Sequence, residues 1–242
     1  MKIFAVGLGP GNMDYLVPKA KEAMQECDVI VGYTGYIELI PEIINGKEVI
    51  STGMRGEVER CEAAINQALI GKKVCVVSSG DAGIYGMAGL LYELAKKYPE
   101  MKIEVIPGIT AATSAAAILG SPLTNDFAII SLSDLLTPWD VIEKRLDACA
   151  SADMVICLYN PQSKKRSDFL KKACAITLRH KPLDTKCGYV RNAFRGMDTH
   201  SHICTLDELS KTSVDMFTTV IIGNSCTKAI NGKLVTSRGY NI

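Results

Sequence analysis

Short apolar runs alternate with longer stretches of helical periodicity along the first half of the chain. Four runs have the length and β-branched content of buried strands, at residues 3–6, 29–31, 74–78 and 103–106. Apolar residues three or four positions apart predict amphipathic helices between them, at residues 18–27, 57–70, 87–97 and 110–119. Because this alternation is typical of a mostly parallel sheet covered on both faces, the pattern predicts an α/β fold.

The rhythm changes at residues 120–122, Gly-Ser-Pro, where glycine and proline end a helix and redirect the chain. Further β-rich runs follow at residues 127–131, 154–158, 186–190, 202–205, 218–223 and 233–235. Helical patterns occupy 138–149, with Thr137 as the expected N-cap, and the basic stretch 166–179. We therefore predict two domains, 1–120 and 121–242, with more antiparallel sheet in the second.

Charge and composition exclude some classes of protein. The 242 residues carry a formal net charge of +1, without the basic excess that nucleic-acid binding by counterion release requires. No apolar run approaches the ~18 residues needed to cross a bilayer, and Gly7, Gly9 and Pro10 interrupt the first run below the length of a secretory signal. Nine cysteines without a C-x-x-C pair indicate buried free thiols in a reducing compartment. We expect a cytoplasmic protein with neither nucleic-acid nor membrane partners.

The segment GLGPG at residues 7–11 follows the first predicted strand and is similar to a dinucleotide-binding turn. The third glycine of G-x-G-x-x-G would fall on Asn12, however, and Pro10 lacks an amide that should reach the pyrophosphate. The expected ribose-binding carboxylate, Asp28, precedes the second strand instead of following it. A plain structural turn and a dinucleotide site remain alternatives, but the residues favour a glycine floor beneath a flat substrate.

The stretch VSSGDAGIYGM at residues 77–87 follows the third predicted strand. Loops at the carboxyl ends of strands are where open α/β sheets bind ligands. Gly80 and Gly83 permit close backbone approach, while Ser79 and Asp81 supply polar groups, which suits a zwitterionic ligand. The simpler alternative is a tight turn in which Asp81 caps the next helix. A nucleophilic serine is disfavoured because no serine here lies in G-x-S-x-G.

Three other segments allow a functional and a structural interpretation. In PGITAATSAAA, residues 107–117, small side chains leave room at a helix start near Thr110, but close helix packing explains the alanines equally well. Cations near strand ends at residues 158–166 and 189–196 would complement an anionic ligand, or form a solvated face. His200 and His202 lack a third ligand at metal-binding spacing, so we expect no metal site.

Together, and in this order, the motifs resemble the tetrapyrrole methylase family. They are VGLGPGN, SSGDAGIYGM and PGITA at three early strands, then SPLTNDFAIISLSDLLTPWDVIEKRL and LYNPQSKKR. The last two resemble members that methylate C17 of precorrin-3B, or of its cobalt-containing counterpart, and contract the macrocycle in cobalamin biosynthesis. The resemblance covers nearly the whole chain. It implies a homodimer of two αβα domains, with S-adenosylmethionine in the interdomain cleft and the tetrapyrrole in an adjoining trough of the first domain.

The resemblance also implies which residues bind and react. Cofactor contacts carried over by motif are Pro10, Ser79, Gly80, Asp81, Ile84, Thr110, Ala111, Tyr159, Ala193 and Gly223. Some relatives have glycine where this chain has Ala193, and Asn12 replaces a common aspartate, which argues against an acid–base role for that position.

Methyl transfer from a sulfonium needs mainly alignment, whereas ring contraction also needs proton transfers. Candidates for the proton transfers are Asp126, Ser131, Ser133, Asp134, Thr137 and Tyr85. Candidates for holding the substrate's carboxylates are Arg55, Lys164, Lys165, Arg166, Arg191 and Arg195.

Four other functions remain open at this point. Within the family, the chain could methylate another precorrin or uroporphyrinogen, or it could modify RNA or a protein. Outside the family, it could be an NAD(P)-dependent oxidoreductase or a tetrapyrrole-binding module without catalytic activity.

Overall fold

A computed structural model describes residues 1–196 and 198–241. Within these residues the chain forms two compact units. The first comprises Met1–Ala111 together with Phe194–Gly196, and the second comprises the remainder. No helix in the described part of the chain is long and apolar enough to span a membrane.

The first unit is built on a parallel sheet of five strands in the order β3-β2-β4-β1-β5. Its strands are β1 (Lys2–Gly7), β2 (Val29–Tyr33), β3 (Glu48–Thr52), β4 (Val74–Ser78) and β5 (Lys102–Ile106). Its helices are α1 (Pro18–Glu26), α2 (Thr34–Ile37), α3 (Pro41–Ile44), α4 (Glu57–Leu69) and α5 (Ala88–Ala95), with a short 3-10 helix at Met13–Tyr15.

Both faces of this sheet are covered. Side chains alternate along β1, so Ile3 and Ala5 pack into one apolar cluster while Phe4 and Val6 pack into another on the opposite face. The first cluster includes residues of α4 and α5, and the second includes residues of α1. This is the αβα arrangement that strand–helix alternation predicts, and the α/β class is confirmed.

The second unit contains a mixed sheet in the order β10-β9-β11-β8-β7 and a small sheet in the order β12-β13-β6. Its strands are β6 (Gly120–Ser121), β7 (Phe127–Ser131), β8 (Val155–Tyr159), β9 (Lys186–Arg191), β10 (His200–Thr205), β11 (Thr218–Ile222), β12 (Thr227–Ile230) and β13 (Lys233–Thr236). Its helices are α6 (Ala111–Leu119), α7 (Trp139–Ser151), α8 (Phe169–Thr177) and α9 (Leu206–Ser210). Within the large sheet only β7 and β8 pair in parallel, so the second half is richer in antiparallel sheet, as the sequence predicts.

The chain passes from one unit to the other earlier than the glycine–proline signal suggested. The alanine face of α6, formed by Ala112, Ala115 and Ala116, packs in one cluster with residues of β8 and β11. This packing places α6 in the second unit, after Ala111, because its apolar face is buried there. Residues Gly120 and Ser121 form β6 in parallel with β13 and do not mark the junction.

Candidate functional site

Loops after three adjacent parallel strands meet at one edge of the first unit. A Cβ atom on Gly108, after β5, would lie 2.2 Å from the carbonyl oxygen of Gly80, after β4. A Cβ atom on Gly7 would lie 2.6 Å from the Gly108 nitrogen. The three backbones therefore approach to distances that only glycine allows. Gly9 and Gly80 exchange two backbone hydrogen bonds, of 3.0 and 2.7 Å, which join the first two loops directly.

This pairing argues against a dinucleotide at GLGPG. The amides of Leu8 and Gly9 donate to the carbonyls of Ser78 and Gly80, and Pro10 has no amide to offer. A pyrophosphate would need such amides unpaired. The glycines of this turn instead serve the contact between loops.

Asp81 organises the loop after β4. Its Oδ1 accepts hydrogen bonds from the amides of Gly83 (2.7 Å) and Ile84 (3.2 Å), and its Oδ2 accepts one from the amide of Gly108 (2.9 Å). A carboxylate has about four lone-pair positions, so most of its accepting capacity is used within the protein. The carboxylate thus holds a turn and joins two loops, but it does not cap the next helix, because the N-cap of α5 is Met87 without a side-chain hydrogen bond.

Seven of the ten expected cofactor contacts lie on these loops of the first unit. Pro10 follows β1, and Thr110 with Ala111 follows β5. The rest follow β4: Ser79, Gly80, Asp81 and Ile84. Gly80 adopts φ +69°, Thr110 is buried, and Ile84 is exposed. Tyr85, a candidate for acid–base chemistry, adopts φ +53° on the same loop and is exposed.

Arg195 lies among these loops, and its hydrogen-bond partners there belong to the protein itself. Its Nε donates to the carbonyl of Pro10 (3.0 Å) and its Nη2 donates to the hydroxyl of Ser79 (2.5 Å). Burial lowers the pKa of its guanidinium. Its hydrogen-bond acceptors therefore lie in the loops after β1 and β4, and the expectation that it binds a substrate carboxylate stays a prediction.

The other three expected cofactor contacts lie in the second unit. The hydroxyl of Tyr159, at the end of β8, accepts a hydrogen bond from the amide of Ala112 (2.7 Å) at the start of α6. Ala193 is half-buried in the β9–β10 connection. Gly223 is buried, and a Cβ atom there would lie 2.5 Å from the carbonyl oxygen of Lys186. Packing alone therefore requires glycine at position 223.

The loops after β7 and β8 bring several candidate catalytic residues together. Arg166 Nη1 donates to the hydroxyl of Ser133 (2.7 Å) and to the carboxylate of Asp134 (3.3 Å). Asn160 Nδ2 donates to the hydroxyl of Ser131 (3.0 Å). Arg166 is therefore hydrogen-bonded within its own unit, and its expected role as a substrate ligand stays a prediction. Thr137 lies farther along the loop and does not cap α7, whose N-cap is Pro138 without a side-chain hydrogen bond.

Asp126 does not join this group. It immediately precedes β7, whereas Ser131 is the last residue of that strand. At about 3.3 Å per residue, the strand separates their backbones by roughly 16 Å. Asp126 therefore lies at the opposite end of the sheet from the other candidates and is a poor choice for shared proton transfer.

The remaining expected anion ligands differ in whether they are available. Arg191 donates from Nε to Asp215 (2.7 Å) and from Nη1 to Asp198 (2.8 Å), and these hydrogen bonds raise its pKa. It is thus paired with two carboxylates within the protein, and its expected role as a substrate ligand stays a prediction. Three cations are exposed and carry no ion pair among the described residues: Arg55 in the first unit, and Lys164 and Lys165 in the second.

Two further side chains shape the site, although little in the sequence points to either of them. Buried Arg60 donates to the Thr52 hydroxyl (2.5 Å) and the Gly53 carbonyl (2.9 Å), which fixes the loop that carries Arg55. Tyr36 lies near Arg195, and burial raises the pKa of its phenol. Arg60 is a polar residue on a face that α4 buries, whereas Tyr36 lies in α2, a short helix that the pattern of apolar residues does not predict.

No group of three or more His, Cys, Asp or Glu side chains suited to a metal ion occurs among residues 1–196 and 198–241. His200 instead contacts the carboxylate of Asp198, with 2.8 Å between Nε2 and Oδ1. All nine cysteines lie in the described part of the chain and are free.

Comparison with known proteins gives independent support to the resemblance found in the sequence motifs. The chain is 44% identical over 245 residues to the cobalt-factor III methyltransferase of Priestia megaterium, but spans only 45% of that protein's length. It is 45% identical over 238 residues to the probable cobalt-factor III C(17)-methyltransferase of Salmonella typhimurium, and covers 98% of each chain. The crystal structure of the methyltransferase CobJ superposes with a TM-score of 0.89 at 34% identity, covering 97% of this chain and 99% of that one. Residues 2–210 match the family model, and the chain belongs to the Tetrapyrrole (Corrin/Porphyrin) Methylases.

Proposed function

We propose that this protein transfers a methyl group from S-adenosylmethionine to C17 of cobalt-factor III or precorrin-3B, with contraction of the macrocycle. The family assignment makes it a tetrapyrrole methyltransferase that uses S-adenosylmethionine. The observation that carries the choice of substrate is the 45% identity to a probable cobalt-factor III C(17)-methyltransferase over 98% of both chains.

The loops of the first unit have the chemistry that S-adenosylmethionine needs. Its carboxylate, ammonium and ribose require hydrogen-bonding groups close to the backbone, while its adenine requires an apolar contact. Gly80 leaves its backbone open to approach, because the nearest atom to a Cβ there would be 3.6 Å away. Ser79 and Thr110 supply hydroxyls, and exposed Ile84 supplies an apolar side chain. The bound sulfonium supplies a methyl group with its own leaving group.

Within this proposal, Asp81 acts mainly through the backbone. Its three accepted hydrogen bonds hold the loops after β4 and β5 in one conformation. A loop that is already ordered loses less conformational entropy when a ligand binds. We therefore assign Asp81 to shaping the cofactor site, with at most one lone-pair position left for the ribose or the ammonium.

The exposed cations are the candidates for the substrate's acetate and propionate groups. Arg55 adopts φ +70° in a loop fixed by Arg60, and Lys164 with Lys165 follows β8. In the second unit, Ser131, Ser133 and Asp134 form a hydrogen-bonded group with Asn160 and Arg166. This group is our candidate for the proton transfers of ring contraction, because it combines hydroxyls and a carboxylate on adjacent loops.

Anaerobic incubation with isotopically labelled S-adenosylmethionine tests the proposal. Cobalt-factor III, precorrin-3B and uroporphyrinogen III are supplied separately, and products are analysed by mass spectrometry. We expect one methyl group to be added to cobalt-factor III or precorrin-3B, with fragmentation placing it on C17 of a contracted ring. Methylation of uroporphyrinogen III alone would overturn the substrate assignment, and protection by NADH without binding of S-adenosylhomocysteine would overturn the co-substrate assignment.

We also infer that the protein acts as a homodimer in the cytoplasm, as its family resemblance suggests. Light scattering of the purified protein should give twice the chain mass of 26.2 kDa, and a monomer at micromolar concentration would contradict this inference.

A further inference from the structure

The segment at residues 192–196 has an unusual backbone. Asn192 and Phe194 adopt φ values of +51° and +53°, and Gly196 adopts +70°. Left-handed conformations at residues other than glycine are uncommon, and they cost free energy that the surroundings must offset. The segment connects β9 to β10, yet Phe194–Gly196 belongs to the first unit by its contacts.

Phe194 and Arg195 contact the loops after β1 and β4 or residues beside them, whereas Asn192 forms hydrogen bonds with Phe217 and Thr199. The ring of Phe194 stacks on Tyr15, with centroids 4.4 Å apart and planes inclined by 26°. Arg195 donates to the Pro10 carbonyl and to the Ser79 hydroxyl. Its Nε also limits the next residue of the loop, because a Cβ on Gly11 would lie 3.3 Å from it. One guanidinium thus holds the loops after β1 and β4 together.

A partly buried guanidinium is costly unless its hydrogen bonds are made. No carboxylate forms an ion pair with Arg195 among residues 1–196 and 198–241, and a carbonyl and a hydroxyl accept its hydrogen bonds instead. A positive charge without a carboxylate partner in such a loop is unfavourable for the stability of the folded protein. The same charge can hold two loops in a fixed arrangement and make that arrangement electropositive toward a bound carboxylate.

We propose that Arg195 is a positioning residue for S-adenosylmethionine, and not a ligand for the tetrapyrrole's carboxylates. The inference rests on the proposed function and deepens it. By fixing Pro10 and Ser79 relative to each other, Arg195 orders both loops before the co-substrate binds. Removing it should therefore weaken co-substrate binding while leaving tetrapyrrole binding and the chemical step nearly unchanged.

The test compares Arg195→Met and Arg195→Lys with Arg145→Met, whose parent side chain is exposed on α7. Calorimetry measures the Kd of S-adenosylhomocysteine, and steady-state assays measure kcat and both KM values. We expect Arg195→Met to raise this Kd by about tenfold, as the loss of charged hydrogen bonds does. Arg195→Lys should recover part of the affinity, because an ammonium can donate to one of the two acceptors. Arg145→Met should match the unaltered protein.

Ser79→Ala provides a second, milder test, because it removes one acceptor and leaves Arg195 in place. We expect it to raise the Kd by about threefold and to be non-additive with Arg195→Lys. An unchanged Kd in Arg195→Met, or a raised tetrapyrrole KM with unchanged co-substrate binding, would overturn the proposal. Equal loss of both ligands together with a lower Tm in Arg195→Met and Arg195→Lys would also overturn it, because it would indicate a purely structural role.

The binding titration separates this inference from the proposed function. It uses S-adenosylhomocysteine alone, so it does not depend on which tetrapyrrole is methylated. If the unaltered protein binds the nucleotide but converts neither cobalt-factor III nor precorrin-3B, the proposed substrate is wrong and Arg195 can still be judged.

Discussion

Glycine is needed at one position in the loop after β4 and at one in the loop after β5, for different physical reasons. At Gly108 the obstacle is steric, because a Cβ atom would lie 2.2 Å from the Gly80 carbonyl oxygen. At Gly80 there is room for a Cβ, but φ is +69°. The motifs SSGDAG and PGITA show these two glycines alike, and only the backbone geometry separates the two requirements.

Alanine substitutions should distinguish the two requirements. We expect Gly108→Ala to lower the free energy of unfolding by about 3 kcal/mol through overpacking. Gly80→Ala should lower it by about 1–2 kcal/mol through the left-handed conformation alone. Gly89→Ala on α5 is the matched control: nothing lies within 4 Å of its Cβ, and a helical glycine replaced by alanine should gain about 0.5–1 kcal/mol. Urea denaturation measures all three, and equal effects at Gly108 and Gly80 would contradict this explanation.

The carboxylate of Asp81 should contribute to stability as well as to ligand binding. Asp81→Ala leaves the amides of Gly83, Ile84 and Gly108 without their acceptor, which should cost about 2 kcal/mol. Asp14→Ala is the control, since Asp14 is exposed and forms no ion pair among the described residues. Thermal unfolding measures both variants. A Tm that falls equally in the two would show that the three hydrogen bonds contribute little.

At the scale of the element, the spacing of apolar residues predicted the strands well and the buried faces of the helices less well. In α4 the spacing predicts Val58, Cys61, Ile65, Ala68 and Leu69 inside. The structure exposes Val58 and Leu69 and buries Arg60. Arg60 is buried because its guanidinium reaches the carbonyl of Gly53, a partner that the sequence of one helix cannot reveal. The edge strand β3 was missed because its residues are mostly exposed and lack a clear alternation.

The start of β10 and the end of β9 are joined by charges that should respond to acid. Hydrogen bonds from His200 and then Arg191 lower the pKa of Asp198. At Asp215 burial alone would raise the pKa, but hydrogen bonds led by Arg191 lower it overall. Because both carboxylates have lowered pKa values when folded, their stabilisation is present above the ordinary value of 3.8 and is lost as the pH falls through the lowered values.

Hydrogen exchange should detect this loss locally. After correction for the intrinsic effect of pH on exchange, we expect the amides of residues 199–201 to exchange faster below about pH 3.8 than at pH 6. The amides of β1 should stay protected at both values. Arg191→Gln should show the faster exchange already at pH 6, because it removes the cation that both carboxylates share. Protection that stays constant until the whole protein unfolds would contradict the prediction.

At the scale of the whole molecule, the sequence predicted which loops of the first unit meet better than it predicted the side chains that join those loops. Ser79, Gly80 and Thr110 could be predicted because the carboxyl ends of parallel strands share one edge of a sheet. Arg195 could not, because it reaches Pro10 across 185 positions of sequence. The separation of Asp126 from the other acid–base candidates was missed for a related reason: its closeness in sequence to Ser131 hides the strand that lies between them.

Burial of the cysteines in both units gives a prediction for the complete chain. Seven of the nine are buried, Cys149 is partly exposed, and Cys226 is exposed. Burial raises the pKa values of Cys61, Cys157 and Cys174 to about 12, so these thiols stay protonated and unreactive near neutral pH.

A thiol reagent such as Ellman's reagent should therefore modify Cys226 rapidly and Cys149 slowly in the native protein. All nine thiols should react after unfolding. In Cys226→Ser the rapid phase should be absent, which identifies it. Rapid reaction of more than two thiols in the native protein would show that the units unfold locally often enough to expose their buried thiols.

Phe194–Gly196 belongs to the first unit although the chain reaches it only after β9. A gene divided at codon 111 would encode a front fragment in which Tyr15 has lost its ring partner and Pro10 and Ser79 have lost their donor. Such a fragment would lack these contacts if it were exchanged on its own between homologues. Recombination between homologues should therefore preserve these contacts best when the loops after β1 and β4 and the β9–β10 connection come from the same parent.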